Sequence, residues 1–245
     1  MIKLAIVGAT GKMGQEIIRQ VSKYSHKYEI VAKIASNTTN NNINNIKNIN
    51  VCIDFSSPVA TLNILNYCLE NHTALVIGTT GFNNDELEII YNASIQIPIL
   101  IAPNMSVSVN VLMKLVTIAA SVLDDFESEI FEAHHKYKKD SPSGTAIQLG
   151  KCIAKARKIN FDKHAVYTRH GRDLHKINNE IGFSVLRAGN IVGLHEVSFI
   201  SDDEQLVLKS EINNRSSFAR GALMAADFIC NKPAGLYSME DIFKI

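Results

Sequence analysis

The amino-acid sequence predicts an α/β protein with two domains: an N-terminal, Rossmann-type, doubly wound parallel sheet and a second, α+β domain built on a mixed or antiparallel sheet. Three observations support this prediction. Short β-branched runs alternate with helical patterns up to about residue 105, as in parallel sheets. A glycine-rich turn follows the first of these runs. Beyond residue 105 the alternation ends, and from 165 to 212 strand-like segments succeed one another without intervening helices.

The first half alternates apolar runs with amphipathic stretches. Strands are predicted at 2–7, 29–34, 51–55, 73–77 and 97–102, and helices at 13–21, 58–71 and 85–93. Pro58 suits the first turn of its helix because a nitrogen at that position needs no hydrogen bond. Residues 37–50 contain eight asparagines and are predicted to form a polar surface connection.

The second half has a different pattern. Helices are predicted at 109–123, 145–158 and 218–230, and strands at 127–133, 165–168, 181–186, 196–200 and 205–212. The last helix returns to the pattern of the first half, and we expect it to pack on the first domain. The predicted domains are therefore residues 1–105 with 215–245, and residues 106–214.

Composition excludes several classes of protein. Of 245 residues, 46% are hydrophobic and 20% are charged, as in ordinary globular proteins. A net charge of +1 provides no field that would attract nucleic acid or an anionic membrane. No apolar run approaches the ~20 residues that span a bilayer. Four widely spaced cysteines, at 52, 68, 152 and 230, fit reduced structural thiols, so we expect a cytoplasmic protein.

The glycine-rich turn runs from Gly8 to Gly14 with the sequence GATGKMG, between the first strand and the first helix. Glycines at this spacing permit a tight turn and close approach of the backbone to a pyrophosphate, which the helix N-terminus attracts. A tight turn with no ligand is the alternative. No acidic residue follows between Glu29 and Asp54, so Ala35 and Ser36 occupy the position that recognises ribose. The choice between NADH and NADPH stays open.

The histidine–lysine loop is the second candidate site. Residues 132–146 read EAHHKYKKDSPSGTA, between a predicted strand and a helix. Two histidines and three lysines beside a helix N-terminus form a pocket suited to carboxylates, and histidine and lysine can transfer protons. Ser143 and Thr145 are residue types that cap helices. A solvated surface loop is an alternative, as is a metal site, for which no third ligand is evident.

At these motifs the chain resembles the 4-hydroxy-tetrahydrodipicolinate reductase (dihydrodipicolinate reductase) family. The resemblance covers nearly the whole chain, through VGATGKMG, VCIDFSSPVAT, VIGTTGF, APNMSVSVN, EAHHKYKKDSPSGTA, LRAGNIVGLHEV and RSSFARGAL. It implies an oxidoreductase that reduces 4-hydroxy-tetrahydrodipicolinate to tetrahydrodipicolinate with NADH or NADPH, in diaminopimelate and lysine biosynthesis. The alternatives are a non-catalytic NAD(P)-binding sensor and a dehydrogenase of another small substrate.

The resemblance also assigns roles to residues. His134 is implied as proton donor and acceptor, and Lys138 as proton donor. The implied substrate-binding residues are His135, Gly144 and Thr145, together with the neighbouring Ser143. The implied cofactor-binding residues are Gly8, Ala9, Thr10, Gly11, Lys12, Met13, Gly78, Thr79, Thr80, Ala102, Pro103, Asn104 and Met105.

The resemblance makes the first domain the dinucleotide-binding domain, and the second the substrate-binding and oligomerisation domain of a homotetramer. The expected ligand besides the cofactor is a small dicarboxylate imine. No metal is expected.

Overall fold

The structure, a computed structural model, describes residues 1–35, 48–172 and 175–243. The chain divides into two compact units, one formed by Met1–Val107 with Arg215–Ile245 and the other by Ser108–Asn214. Ser36 and most of the predicted asparagine-rich connection, residues 37–50, lie outside the described residues.

Eleven strands and seven α-helices are found in the described part of the chain. The strands are β1 (Ile2–Val7), β2 (Tyr28–Ile34), β3 (Val51–Asp54), β4 (Ala74–Ile77), β5 (Pro98–Ile101), β6 (Glu127–His134), β7 (Ala165–Val166), β8 (Ile181–Arg187), β9 (Gly193–Ile200), β10 (Gln205–Ile212) and β11 (Gly235–Tyr237). The helices are α1 (Lys12–Lys23), α2 (Pro58–Glu70), α3 (Asn84–Ala93), α4 (Val107–Val122), α5 (Gly144–Ala156), α6 (Phe161–His164) and α7 (Ser216–Ile229).

The first unit contains a parallel six-stranded sheet in the order β11-β5-β4-β3-β1-β2. Helices α1 and α7 pack on the face that presents Leu4, Ile6 and Val76. Helices α2 and α3 pack on the opposite face, against Val7 and Leu75 among others. Because both faces are covered, consecutive residues of β1, β3 and β4 are buried, which explains their uninterrupted apolar runs. The predicted doubly wound parallel sheet is confirmed.

The second unit contains a mixed five-stranded sheet in the order β10-β9-β6-β8-β7. Strand β6 is parallel to β8 and antiparallel to β9, and β9 is antiparallel to β10. Helices α4 and α5 cover one face, where Leu112, Val116 and Leu149 pack against Val197 and Phe199. This arrangement confirms the predicted α+β domain on a mixed sheet.

Three short elements differ from the sequence prediction or were missed by it. The strand predicted at 165–168 has only two residues, and a single helical turn, α6, precedes it. Asn160 caps that turn, because its side-chain oxygen accepts a hydrogen bond from the Lys163 nitrogen at 3.0 Å. Strand β11 was not predicted. Its three residues pair with Pro98–Leu100, so its conformation depends on a neighbour distant in sequence.

The four cysteines are all free; Cys52 and Cys68 are buried, and Cys152 and Cys230 are half-buried. Among the described residues, no helix combines the length and the apolar character that crossing a membrane requires.

Candidate active site

The carboxyl ends of four adjacent strands lie along one edge of the first sheet. Val7 of β1 pairs with Asp54 of β3, Asp54 with Ile77 of β4, and Ile77 with Ile101 of β5. The predicted cofactor segments 8–13, 78–80 and 102–105 directly follow β1, β4 and β5, so the sheet brings them to the same edge. Strand β1 also has β2 and β3 on its two sides, which makes this edge the topological switch point where dinucleotides bind.

The glycine-rich turn has the shape that a pyrophosphate needs. Gly8 adopts a φ of +77°, a conformation that side chains disfavour. A Cβ at Gly14 would lie 2.2 Å from the carbonyl oxygen of Gly8, so the helix and the turn touch through backbone alone. Helix α1 starts at Lys12, and its N-cap residue is Gly11, which has no side chain that could bond to the first amide groups. Its first amide groups therefore suit a phosphate.

The residues predicted to hold the cofactor differ in exposure. Thr10, Gly11, Lys12, Thr80 and Pro103 are exposed, Met13, Gly78 and Asn104 are half-buried, and Ala9, Thr79, Ala102 and Met105 are buried. The Ala9 nitrogen donates to the Ile34 carbonyl at 2.9 Å, which ties the turn to the end of β2.

Asp54 is a buried carboxylate that the sequence analysis did not single out. It is fully buried at the end of β3. Its oxygens accept hydrogen bonds from the hydroxyls of Ser56, Thr61 (2.5 Å) and Thr79 (2.8 Å). The Thr79 hydroxyl oxygen also accepts from the Ser56 nitrogen at 2.8 Å. Burial raises the pKa of Asp54, and the three hydroxyls oppose this rise. Asp54 thereby fixes the predicted cofactor segment 78–80.

In the second unit, the central feature is the carboxylate of Glu132 on β6. Its side chain is only 1% exposed. The Oε2 atom lies 2.6 Å from His134 Nδ1 and accepts from Arg187 Nη1 at 2.8 Å. The Oε1 atom accepts from Arg187 Nη2 at 2.7 Å and from the Ser143 backbone nitrogen at 2.8 Å. These four donors match the four acceptor positions of an ionised carboxylate.

The protonation state of Glu132 determines which tautomer His134 adopts. Burial raises the pKa of Glu132, but hydrogen bonds from His134, Arg187 and the Ser143 backbone outweigh burial and lower it to about 2. The group is therefore ionised at neutral pH and can only accept hydrogen bonds. His134 Nδ1 consequently donates, and Nε2 is the nitrogen left for proton transfer.

Helix α5 begins beside this carboxylate. Ser143 is the N-cap of α5, and its hydroxyl accepts from the Ala146 nitrogen at 3.2 Å and lies 3.0 Å from His195 Nε2. Ser143 is buried, Gly144 is exposed and Thr145 is half-buried. The hydroxyl of Ser143 thus serves the helix cap, and its predicted contact with substrate stays a prediction.

His195 is a second histidine in this cluster, and it was also missed in the sequence. It is buried, and its ring meets that of His134 edge to face, with 5.1 Å between centroids. Burial, together with the charges of His134, Lys138 and Arg187, lowers the pKa of His195 to about 4, while the charge of Glu132 opposes this fall. His195 is therefore neutral near pH 7.

The remaining predicted residues lie on the loop after β6. Lys138 Nζ forms an ion pair with Asp140 Oδ1 at 2.8 Å. Burial raises the pKa of Asp140, but the hydrogen bond from Lys138 lowers it below its usual value. His135 is half-buried, and its buried Nδ1 has no hydrogen-bond partner among the described residues.

The sequence contained a signal for only one of the missed residues of this cluster. Glu132 lies two residues before His134 on a strand, and side chains at that spacing share a face. Arg187 and His195 join the cluster through strand pairing, since Arg187 is opposite His134 and His195 is opposite Glu132. Within the described ranges, no group of three or more histidine, cysteine, aspartate or glutamate side chains could hold a metal ion.

Comparison with known proteins identifies the family. A family model described as "Dihydrodipicolinate reductase, N-terminus" matches residues 2–105, and its counterpart "Dihydrodipicolinate reductase, C-terminus" matches residues 108–243. The 4-hydroxy-tetrahydrodipicolinate reductase of Rickettsia rickettsii is 41% identical over 100% of both chains. That of Pseudoalteromonas translucida is 40% identical over 99% of this chain and 98% of its own.

A solved structure agrees. A dipicolinate-bound dihydrodipicolinate reductase from Paenisporosarcina sp. TG-14 superposes with a TM-score of 0.79 at 25% identity, over 99% of this chain and 100% of that one. Neither alternative, a sensor or a dehydrogenase of another substrate, is supported by these relatives. The chain therefore belongs to the dihydrodipicolinate reductase family, oxidoreductases that reduce 4-hydroxy-tetrahydrodipicolinate with NADH or NADPH in diaminopimelate and lysine biosynthesis.

Proposed function

We propose that His134 and Lys138 are the proton-transferring residues of this reduction, and that His135, Ser143, Gly144 and Thr145 bind the substrate. The main support is the position of His134 within its unit. Its Nδ1 is held by an ionised, buried carboxylate, and the same carboxylate holds the start of helix α5. A proton-carrying ring and an anion-attracting helix N-terminus are thus fixed by one group.

The proposed substrate is a dicarboxylate imine, and the start of α5 suits a carboxylate. Gly144 is exposed, and apart from its two chain neighbours and the backbone of its own helix no described residue has an atom within 4 Å of the position that its Cβ would take, so a carboxylate can approach the backbone there. Amide groups at a helix N-terminus bind anions. The relative from Paenisporosarcina binds dipicolinate, a ligand of the same charge class.

The proton step follows from the substrate's chemistry. Loss of the 4-hydroxyl as water would leave a conjugated imine, and reduction of its C4 atom places electron density on the ring nitrogen. That nitrogen then needs a positive charge nearby and a proton. His134 can supply the proton from Nε2 after that nitrogen has taken up a proton from solvent and the ring is an imidazolium, and the ammonium of Lys138 can stabilise the developing charge and donate in turn.

We propose that the first unit holds the cofactor, which supplies the hydride when bound. Gly8, Ala9, Thr10, Gly11, Lys12 and Met13 would hold the pyrophosphate. The segments Gly78–Thr80 and Ala102–Met105, at the same edge of the sheet, would line the nicotinamide side. The second unit would then bind substrate. These are the functions that the resemblance implies for the two domains.

We further propose a homotetramer assembled through the second sheet. Strands β8 and β10 expose apolar side chains, namely Val185, Leu186, Leu206 and Val207, each between 37% and 44% exposed. Exposed apolar side chains on a sheet can be covered at a subunit interface. A mass near four times 27.1 kDa in light scattering would support the tetramer, and a monomer would refute it.

The free cysteines favour a reducing compartment, in agreement with a cytoplasmic location.

His134→Gln tests the catalytic assignment. We expect kcat to fall by about 10²- to 10⁴-fold, the contribution of a general acid–base group, with an unchanged Kd for NADH. The assay uses freshly prepared substrate with NADH and NADPH in turn. His164→Gln is the control, because among the described residues this histidine of the same unit bonds only to the Asn160 carbonyl near it in sequence. A kcat within twofold of the parent protein would exclude His134 as a catalytic residue.

A further inference from the structure

We propose that Glu132 is a positioning residue for this reduction: its carboxylate locks the imidazole of His134 and the first turn of α5 into one rigid arrangement. The inference rests on the proposed role of His134 and adds a residue that acts through it. Glu132 itself is not a proton carrier, because all four of its acceptor positions are occupied.

The hydrogen bonds of Glu132 explain why the locking is strict. Arg187 binds both carboxylate oxygens in a bidentate pair, which fixes the plane of the carboxylate. Within that plane, Oε2 faces His134 Nδ1 and Oε1 faces the Ser143 nitrogen. Rotation of the carboxylate would break both contacts, so the ring and the helix start keep the same relative position.

The surroundings of His134 leave its other nitrogen available. A Cβ at Gly193 would lie 3.2 Å from His134 Nε2, so the absence of a side chain there keeps the space beside Nε2 clear. The ring of His195 packs edge to face against the His134 ring and limits its rotation. With Nδ1 bound to Glu132, the imidazole presents Nε2 in a single tautomer.

The strand β6 also provides a matched control for a test of Glu132. Glu129, on the same strand, likewise forms a bidentate pair with an arginine, Arg169, at 2.9 and 3.1 Å. It lies outside the cluster of His134 and α5. Glu129→Gln therefore removes a bidentate arginine pair from the same strand. Glu132 differs from Glu129 in its contacts to His134 and Ser143 and in its deeper burial, and Glu129 also accepts from Lys176 Nζ at 3.1 Å.

For Glu132→Gln, we expect kcat to fall by about 10²-fold or more and the substrate KM to rise, because the amide NH₂ of glutamine only donates and would face two donors that the carboxylate oxygen accepted from. The Kd for NADH should match that of the parent protein, and Glu129→Gln should retain its kcat. The ¹⁵N shifts of selectively labelled histidine should show a single Nδ1-protonated tautomer for His134 in the parent protein and its loss in Glu132→Gln. His134→Gln assigns the resonance.

A second variant covers the case in which Glu132→Gln does not fold because Arg187 is left buried without its partner. Glu132→Met combined with Arg187→Met removes both charges, a change that cores often tolerate. The folded double variant should show the same loss of kcat. Glu132→Gln added to His134→Gln should cause no further loss, because residues that act as a unit are not additive.

The results separate this inference from the proposed function. If His134→Gln is inactive while folded Glu132 variants retain kcat within twofold and keep the His134 tautomer, the positioning role is refuted and the catalytic role of His134 stands. If His134→Gln retains kcat, the proposed function fails, and the positioning role fails with it. Additive losses in the Glu132–His134 pair would also overturn the inference.

Discussion

Gly144→Ala is expected to weaken substrate binding without weakening the fold, and it removes no polar side chain from the site. Apart from the two chain neighbours and the backbone of the same helix, no described residue has an atom within 4 Å of the Cβ that alanine would add. Gly144 is also the first residue of α5, where alanine favours the helix over glycine by up to ~1 kcal/mol. We therefore expect the melting temperature to stay the same or to rise by up to about 4 °C.

The same methyl group would occupy the surface where a substrate carboxylate approaches the helix. Misplacing one methyl in a binding site costs about 1–3 kcal/mol, so we expect the substrate KM to rise by about 10- to 100-fold. The Kd for NADH should not change. Steady-state kinetics, differential scanning fluorimetry and NADH fluorescence titration measure the three quantities.

Gln148→Ala is the matched control, because Gln148 is exposed on the same helix and lies one turn further from its start. It should leave KM unchanged. An unchanged KM in folded Gly144→Ala would show that substrate does not bind at the start of α5. A melting temperature several degrees lower would contradict the open space beside Gly144.

Three further predictions concern other parts of the molecule. Asp54→Asn should raise the Kd for NADH by about 10-fold, which corresponds to the free energy of one or two buried hydrogen bonds. An unchanged Kd in the folded variant would exclude a role for Asp54 in shaping the cofactor segments. Gly14→Ala should weaken NADH binding more than Gly11→Ala, because its Cβ would lie 2.2 Å from the Gly8 carbonyl oxygen, whereas the Cβ of Gly11→Ala would lie 3.2 Å from the same atom. A titration that gave the reverse order of Kd values would refute this reasoning. The third prediction concerns His195, whose pKa falls from 6.5 in the unfolded chain to about 4 in the folded protein. As the pH decreases, the unfolded chain therefore takes up this proton before the folded protein does. The free energy of unfolding should therefore decrease by up to ~3 kcal/mol as the pH falls from 6.5 to 4. Urea titrations should show a flatter pH dependence in His195→Gln, and an unaltered slope would contradict the shift.

The fold was predictable from sequence where its signals are local. The apolar runs of β1, β3 and β4 and the helical periodicity of α1 depend on neighbouring residues, and the structure confirms these elements to within a few positions. The edge that gathers the predicted cofactor segments follows from a general property of parallel sheets. Strand β11 has no such signal, because three residues acquire their conformation from pairing with β5.

The candidate site was predictable only in part, for the same reason. His134 and Lys138 lie in a contiguous motif that the resemblance makes recognisable. Arg187 is 55 residues beyond Glu132, and only the order of strands in the second sheet brings them together. Asp54 was missed because it ends an apolar strand. Its partners Ser56 and Thr61 follow it closely in the sequence, and Thr79 becomes a neighbour through the pairing of β3 with β4.

The first unit is assembled from two separate stretches of chain, and this imposes an order on folding during synthesis. Helix α7 covers the sheet face formed by Ile6, Val76 and Leu100, and its residues leave the ribosome after the whole of Ser108–Asn214. The inserted unit can bury its own core first, while the nascent N-terminal strands still expose one apolar face. The strands of the first unit, although translated before the inserted unit, are therefore enclosed after it, and their exposed apolar face needs chaperone protection in the interval.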